Sequence, residues 1–418
     1  MLPSRIILVI AKKPPSKGAF STLLRGFEIM KTDIFLNDWI IEQRRYLHTH
    51  PEVSHQEIKT KAYITNQLLN LGIVTYSITG KDVIGIIEGE HPGKTVAIRS
   101  DMDALPILEE TGLSFASVNK GVMHACGHDG HMSILLGIAK LLVSNKSSIH
   151  GTIHLLFQHA EEVVPGGAVE IVEANGLQNI DAIFGYHLWQ PLKSGMIGVR
   201  NGATMAGADR FTINIFGKGG HGSMPEETID PTLVISHIIT QLHTIVSRSI
   251  KAIDQAVISI GELNSGTSYN VIPDTAFASG TVRYFNNDTS LLVKKRVEEI
   301  IAGVCTSFGA SYKLEYIHGD PPVLNDKELT AFIKQTAISL FGEEKVVDID
   351  PILGSEDFAY YSHEIPASFT FIGVGKEDTP YGHHHPKFDI DEEMLPVGVE
   401  LFTTGVLNYL KGGNNDEH

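Results

Sequence analysis

Between His124 and His131 the chain reads His-Ala-Cys-Gly-His-Asp-Gly-His, so that a thiol, three imidazoles and a carboxylate fall within eight residues. A thiolate and a neutral imidazole are the borderline-soft donors that zinc and its first-row neighbours favour. Gly127, between Cys126 and His128, permits the tight loop that would aim both at one centre. This is half of a metal site. Two stretches could complete it: the adjacent carboxylates Glu161 and Glu162, and the run His383-His384-His385. A carboxylate pair alone usually marks a solvated loop; beside Cys126 and His128 it reads as one ligand and one group facing substrate. Three adjacent imidazoles in a Gly/Pro-bounded loop have no packing rationale, but spacing does not say which one binds. His187 ends a nearly apolar run, where a hydrogen-bonded core histidine and a metal ligand are both open readings.

A second set lies further on. His221 sits in the glycine-rich Gly217-Lys218-Gly219-Gly220-His221-Gly222-Ser223, where the glycines imply close backbone approach to something. A phosphate cradle is excluded, because neither GxxxxGK[ST] nor GxGxxG is present. Asn270 and Arg283 are weaker candidates, for holding a substrate carboxylate, with a turn former and a surface cation as the plainer readings.

The elements that position these residues follow from periodicity. Asp38 to Leu71 has helical spacing, broken at His50-Pro51. Short β-rich runs at Val83 to Ile87, Thr95 to Arg99, Thr152 to Phe157 and Ala182 to Tyr186 alternate with the helical pattern Met132, Leu135, Leu136, Ala139, Leu142, an α/β signature. Asp101, Glu161-Glu162, His187 and the histidine run each follow a predicted strand, and in open α/β sheets ligands bind beyond the strands' carboxyl ends. Four segments are therefore expected on one rim. From Gly198 to Asp320 the rhythm changes to β-α-β-β-α-β, a ferredoxin-like order, with Asp230-Pro231 as cap and first-turn proline of its first helix. The expected organisation is an α/β/α catalytic domain from 31–197 and 321–418, an inserted α+β lid at 198–320, and an unstructured extension at 1–30, with Met30 as an alternative start.

Bulk properties narrow the function classes. At 418 residues the chain exceeds one ordinary core. Its formal charge of −16, from 33 basic and 49 acidic residues, argues against nucleic acid or an anionic membrane as partner. The apolar run Ile6 to Ala11 is too short for a secretory or spanning segment. Only Cys126 and Cys305 occur, in unlike contexts, so no disulfide framework is expected and a reducing, cytoplasmic setting fits a ligand thiol.

From about Leu36 to Leu410 the chain resembles the aminoacylase, hippurate hydrolase and auxin-conjugate hydrolase group of di-metal aminopeptidase-like hydrolases. The resemblance rests on Leu47-His48-Thr49-His50-Pro51-Glu52, on Arg99-Ser100-Asp101-Met102-Asp103-Ala104-Leu105-Pro106, on the His124 to His131 motif and on Gly217 to Ser223. Ser355-Glu356-Asp357-Phe358 and His384-His385-Pro386-Lys387-Phe388-Asp389 complete it. It implies that Cys126, His128, Glu162, His187 and His384 hold two divalent ions (Zn, Mn, Co or Ni). It further implies that Glu161 is the general acid/base acting on a water held between them, and that the lid often dimerises. The implied reaction is cleavage of N-acetyl or N-aroyl amino acids, with His221, Asn270 and Arg283 toward substrate. A di-metal dipeptidase or aminopeptidase, and a non-catalytic binder of amino-acid conjugates, are the alternatives. His159 stands where such chains commonly have proline.

Overall fold

Apolar runs alternating with helical stretches build an eight-stranded mixed sheet in the computed structural model, which describes residues 28–376 and 378–412. Its strand order is Val74–Tyr76, Val83–Glu88, His150–Gln158, His91–Asp101, Ala182–Lys193, Ala367–Gly375, Ile197–Val199, Val346–Asp348. The four central strands, His150–Gln158 through Ala367–Gly375, are mutually parallel, so their carboxyl ends share one edge. Parallel strands need helical crossovers that cover both faces. On one face Ile34–Thr49, His128–Val143 and Met394–Gly412 bury Ile40, Leu135, Val399 and Phe402. On the other, Gly167–Glu173 and Ala359–Glu364 bury Ile171 and Tyr361. The result is the α/β/α layering expected.

The extension lies, for residues 1–27, outside the described residues. From Glu28 the chain is docked: the backbone N–H groups of Glu28 and Met30 donate to Asn408 and Thr404 of the last helix.

The inserted segment forms a separate four-stranded antiparallel sheet in the order Ala256–Ser265, Thr275–Tyr284, Gly207–Phe216, Ser311–His318. Numbered by sequence, that order is 2-3-1-4, the ferredoxin-like arrangement. Alternation along Gly207–Phe216 turns Phe211, Ile213 and Ile215 onto Pro231–Leu242 and Asn287–Phe308. Asp230 caps the first of these helices by accepting from the N–H groups of Thr232 and Leu233.

Two predicted strand ends move. His187 lies inside Ala182–Lys193 rather than beyond it, because Ala367–Gly375 keeps pairing past it, with Phe371 opposite His187. Asp101 likewise is the last residue of its strand, held by pairing with Gln158.

Under the rim, Arg44 is 1% exposed and donates to Asp129 at 2.8 Å, Asp389 at 2.8 Å and Glu392 at 3.0 Å. Breaking such a buried network leaves Asp129 uncompensated except by His48. Arg44→Ala is therefore expected to cost about 3–5 kcal/mol, read as a lower denaturant midpoint; a midpoint within error of the native chain would contradict this.

Candidate metal centre

The loop before the helix His128–Val143 turns at Gly127, whose φ of +91° is left-handed and free of the strain a side chain would bring. That turn brings Cys126 and His128 to one place. Donor atoms of Cys126, His128 and His187 lie within 4.8 Å of one another, as do those of Cys126, Glu162 and His384, and those of His128, Glu161 and Glu162. The measured approaches are 3.6 Å from Cys126 Sγ to His187 Nε2 and 3.4 Å from His384 Nε2 to Glu162 Oε1. His128 Nε2 stands 3.9 Å from Glu162 Oε1 and 4.0 Å from Glu161 Oε2.

Hydrogen bonds on the far side of each ring decide what faces the cluster. His128 Nδ1 lies 2.9 Å from the Asp103 carbonyl and His187 Nδ1 2.8 Å from the Leu188 carbonyl. A carbonyl only accepts, so both Nδ1 atoms carry protons, and in the neutral rings Nε2 offers its lone pair inward. His128 Nε2 is buried with no hydrogen-bond partner among the described residues, and the buried Glu162 Oε1 faces His384 Nε2, at 3.4 Å. Orphaned atoms of this kind ask for an explanation, and a divalent cation supplies one.

The charge balance points the same way. Asp101, Asp103, Glu161, Glu162, Glu356 and Asp357 crowd one region, and Arg99 is the buried guanidinium among them. Burial, then Glu356, Glu162, Asp357 and Asp103, push the Glu161 carboxyl well above the usual range. Burial, then Glu162, Glu161 and Asp101, push the Cys126 thiol well up. Cations inserted here would reverse both trends, so the residues fit a pair of divalent ions.

The neighbouring histidines are occupied otherwise. His131 sits 2.7 Å from Asp101 Oδ1 through Nδ1 and accepts the Leu188 N–H at Nε2, leaving neither nitrogen for a metal. Of the triple run, His383 accepts the Gln190 N–H, stacks on Trp189 and is pushed by burial down to about 3. His385 accepts the Lys387 N–H and stacks on Tyr381. Only His384 of the three approaches Glu162, from a left-handed backbone at φ +64°, with its N–H anchored on the Ala125 carbonyl. Strained residues of this kind are tolerated where the surroundings over-determine them.

Among the described residues no hydrogen bond or ion pair joins the three lid candidates, His221, Asn270 and Arg283, to this cluster. His221 is exposed on the two-residue strand Gly220–His221, with Nδ1 accepting the Ser223 N–H. Asn270 is exposed and bonded to Ser268, and Arg283 is half-buried near Asp320 and Asp209.

Sequence reasoning missed the support behind Glu161. Arg99, fully buried, donates to Gln158, Asp101 and Asp357 and lies 3.0 Å from Glu356. Glu57 accepts the Ala160 N–H at 2.7 Å, steadying a residue at φ +52° just before the carboxylate pair. The available signal was Arg99-Ser100-Asp101 directly after the apolar Val96-Ala97-Ile98.

Comparison with known proteins places these features in company. The family model described as Peptidase family M20/M25/M40 matches residues 97–408. The N-acyl-L-amino acid amidohydrolase of Geobacillus stearothermophilus is 45% identical over 300 residues, covering 72% of this chain and 80% of that protein. Thermostable carboxypeptidase 1 of Saccharolobus solfataricus is 39% identical over 379 residues, covering 89% and 96%. The crystal structure of Bacillus subtilis YXEP protein, described as a dinuclear metal binding peptidase from the M20 family, superposes with a TM-score of 0.80 at 36% identity, covering 91% of this chain and 99% of that one.

Proposed function

From the premise that the chain belongs to peptidase family M20/M25/M40, we propose that it is a metal-dependent amidohydrolase, cleaving N-acyl amino acids to a carboxylate and a free amino acid. The observation that carries this is the meeting of Cys126, His128, Glu162, His187 and His384 at one rim, with Glu161 beside them. In this reading those five side chains hold two divalent ions and Glu161 is the general acid/base. The ions, when bound, supply Lewis acidity that eases deprotonation of water and polarises an acyl carbonyl.

The protein's own groups do the rest. Hydrolysis joins the water oxygen to the acyl carbon and breaks the C–N bond. Glu161 takes the water's proton on its carboxylate and returns it to the departing amine nitrogen. Burial and the clustered acids around Glu161 favour its protonated form and adjacent cations favour the carboxylate, so its proton is readily taken up and given back. Asp103 and Leu188 fix the tautomers of His128 and His187 through their carbonyls.

His221, Asn270 and Arg283 are assigned to substrate, delivered by lid closure or by a second copy. His221 Nδ1 accepts a backbone N–H, so in the neutral ring Nε2 carries the proton and donates, as an oxyanion requires. Dimerisation through the lid is supported by its edge strand Ala256–Ser265, which among the described residues pairs on one side only and exposes Val257 and Leu263. Zinc, manganese, cobalt and nickel all suit the donors. Free thiols at Cys126 and Cys305 support a cytoplasmic setting, and no helix among the described residues is long and apolar enough to cross a membrane.

The carboxypeptidase relative keeps peptide cleavage as a second reading. Free-amine release from N-acetyl and N-benzoyl amino acids, set against dipeptides and repeated after chelation, separates the readings. Chelator-sensitive turnover favouring the acyl substrates is expected; preference for dipeptides would transfer the assignment to peptidase, and no turnover of either would leave a binder.

A further inference from the structure

A second group of donors lies outside the Cys126 to His384 cluster and shares no residue with it. His55, His159 and Glu170 each offer one ligand atom, all within 4.8 Å of one another. His159 Nε2 lies 3.0 Å from Glu170 Oε2. Lys81 Nζ stands among them, 2.8 and 2.9 Å from the two Glu170 oxygens and 3.5 Å from His55 Nδ1. An ammonium has only donors, so His55 Nδ1 turns its lone pair toward that point. A cationic group already stands where a carboxylate and an imidazole lone pair converge.

We propose that His55, His159 and Glu170 form a third divalent-cation site, suited to Zn²⁺ or a similar borderline-soft ion, for whose donors Lys81 competes. Two imidazoles and one carboxylate are a set that zinc accepts with water in its remaining position. Displacing Lys81 costs little, because Lys81 and Glu170 are 43% and 32% exposed and such ion pairs are weak. Ligation through His159 Nε2 moves that ring's proton to Nδ1. Nδ1 is buried with no hydrogen-bond partner among the described residues, so the ion's bonds must offset an unpaired N–H there and the loss of the Nε2 bond to Glu170. The site also has a route to the catalytic carboxylates. His159 precedes Ala160-Glu161, and His55 lies two residues before Glu57, which accepts the Ala160 N–H. A cation bridging His55 and His159 would clamp that turn from both sides.

The test uses the full chain, saturated at its catalytic centre and then titrated with Zn²⁺ alone, bound zinc being counted by elemental analysis after gel filtration. The native chain is expected to hold one equivalent more than His55→Ala or Glu170→Gln, and Lys81→Met to hold that equivalent more tightly. Removing His55 should weaken this equivalent by more than the about 10–100-fold that loss of a supporting hydrogen bond costs. Basal amine release should persist in His55→Ala and Glu170→Gln, which shows that they fold. Equal zinc in the native chain and both ligand variants overturns the site. Weaker binding in Lys81→Met overturns the competition. Because the readout is a difference between native and variant, it stands apart from the ion count at the rim.

Discussion

Glu161→Gln is expected to lower hydrolysis of N-acyl amino acids by about 10²–10⁴-fold, the range that a positioned general acid/base contributes, while bound metal stays at the native level. Glutamine keeps the shape of the side chain but cannot carry a proton between water and amine. It also removes one acidic group from a region that already holds Asp103, Glu162, Glu356 and Asp357, so the fold has no charge-based reason to fail. Elemental analysis and an amine-release assay on the same preparation check both halves. Turnover near native would remove Glu161 from the chemistry; metal lost together with activity would make it a ligand instead.

His384→Ala is expected to release metal and with it most of the activity, whereas His385→Ala retains both. Adjacent in sequence, the two imidazoles have opposite surroundings. His384 reaches Glu162 Oε1 at 3.4 Å, and Glu162 raises its pKa by hydrogen bonding. His385 is committed to the Lys387 N–H and the Tyr381 ring. Losing a ligand should exceed the about 10–100-fold loss of metal affinity typical of an outer-shell change, and exhaustive chelation of the native protein should reproduce the same loss of turnover. Equilibrium dialysis against metal buffers reads the affinities. Equal retention in the two variants would contradict the assignment of His384.

The chemistry was legible wherever donors cluster along the chain. Cys126, Gly127 and His128 are contiguous, so their meeting needs only one tight turn, and Glu161 and Glu162 are adjacent. The rim was legible too, because strands with apolar periodicity leave their polar residues just past the ends, and parallel pairing lines those ends up. What periodicity could not locate was a strand's true end. Pairing with Ala367–Gly375 carries Ala182–Lys193 beyond the apolar run and takes His187 into the sheet.

The amino-acid sequence by itself determined the kind of chemistry, through a thiol, imidazoles and carboxylates in a short compass, and the alternation of strands and helices that gathers them. Tertiary structure alone decided which nitrogen of which histidine is free, because that depends on partners far along the chain: Leu188 N–H takes up His131, Gln190 N–H takes up His383, and the Asp103 carbonyl orients His128. It alone also set Arg99 among Asp101, Glu356 and Asp357. A side chain's protonation and aim are properties of its neighbours in space, and local composition records the donors without recording what they face.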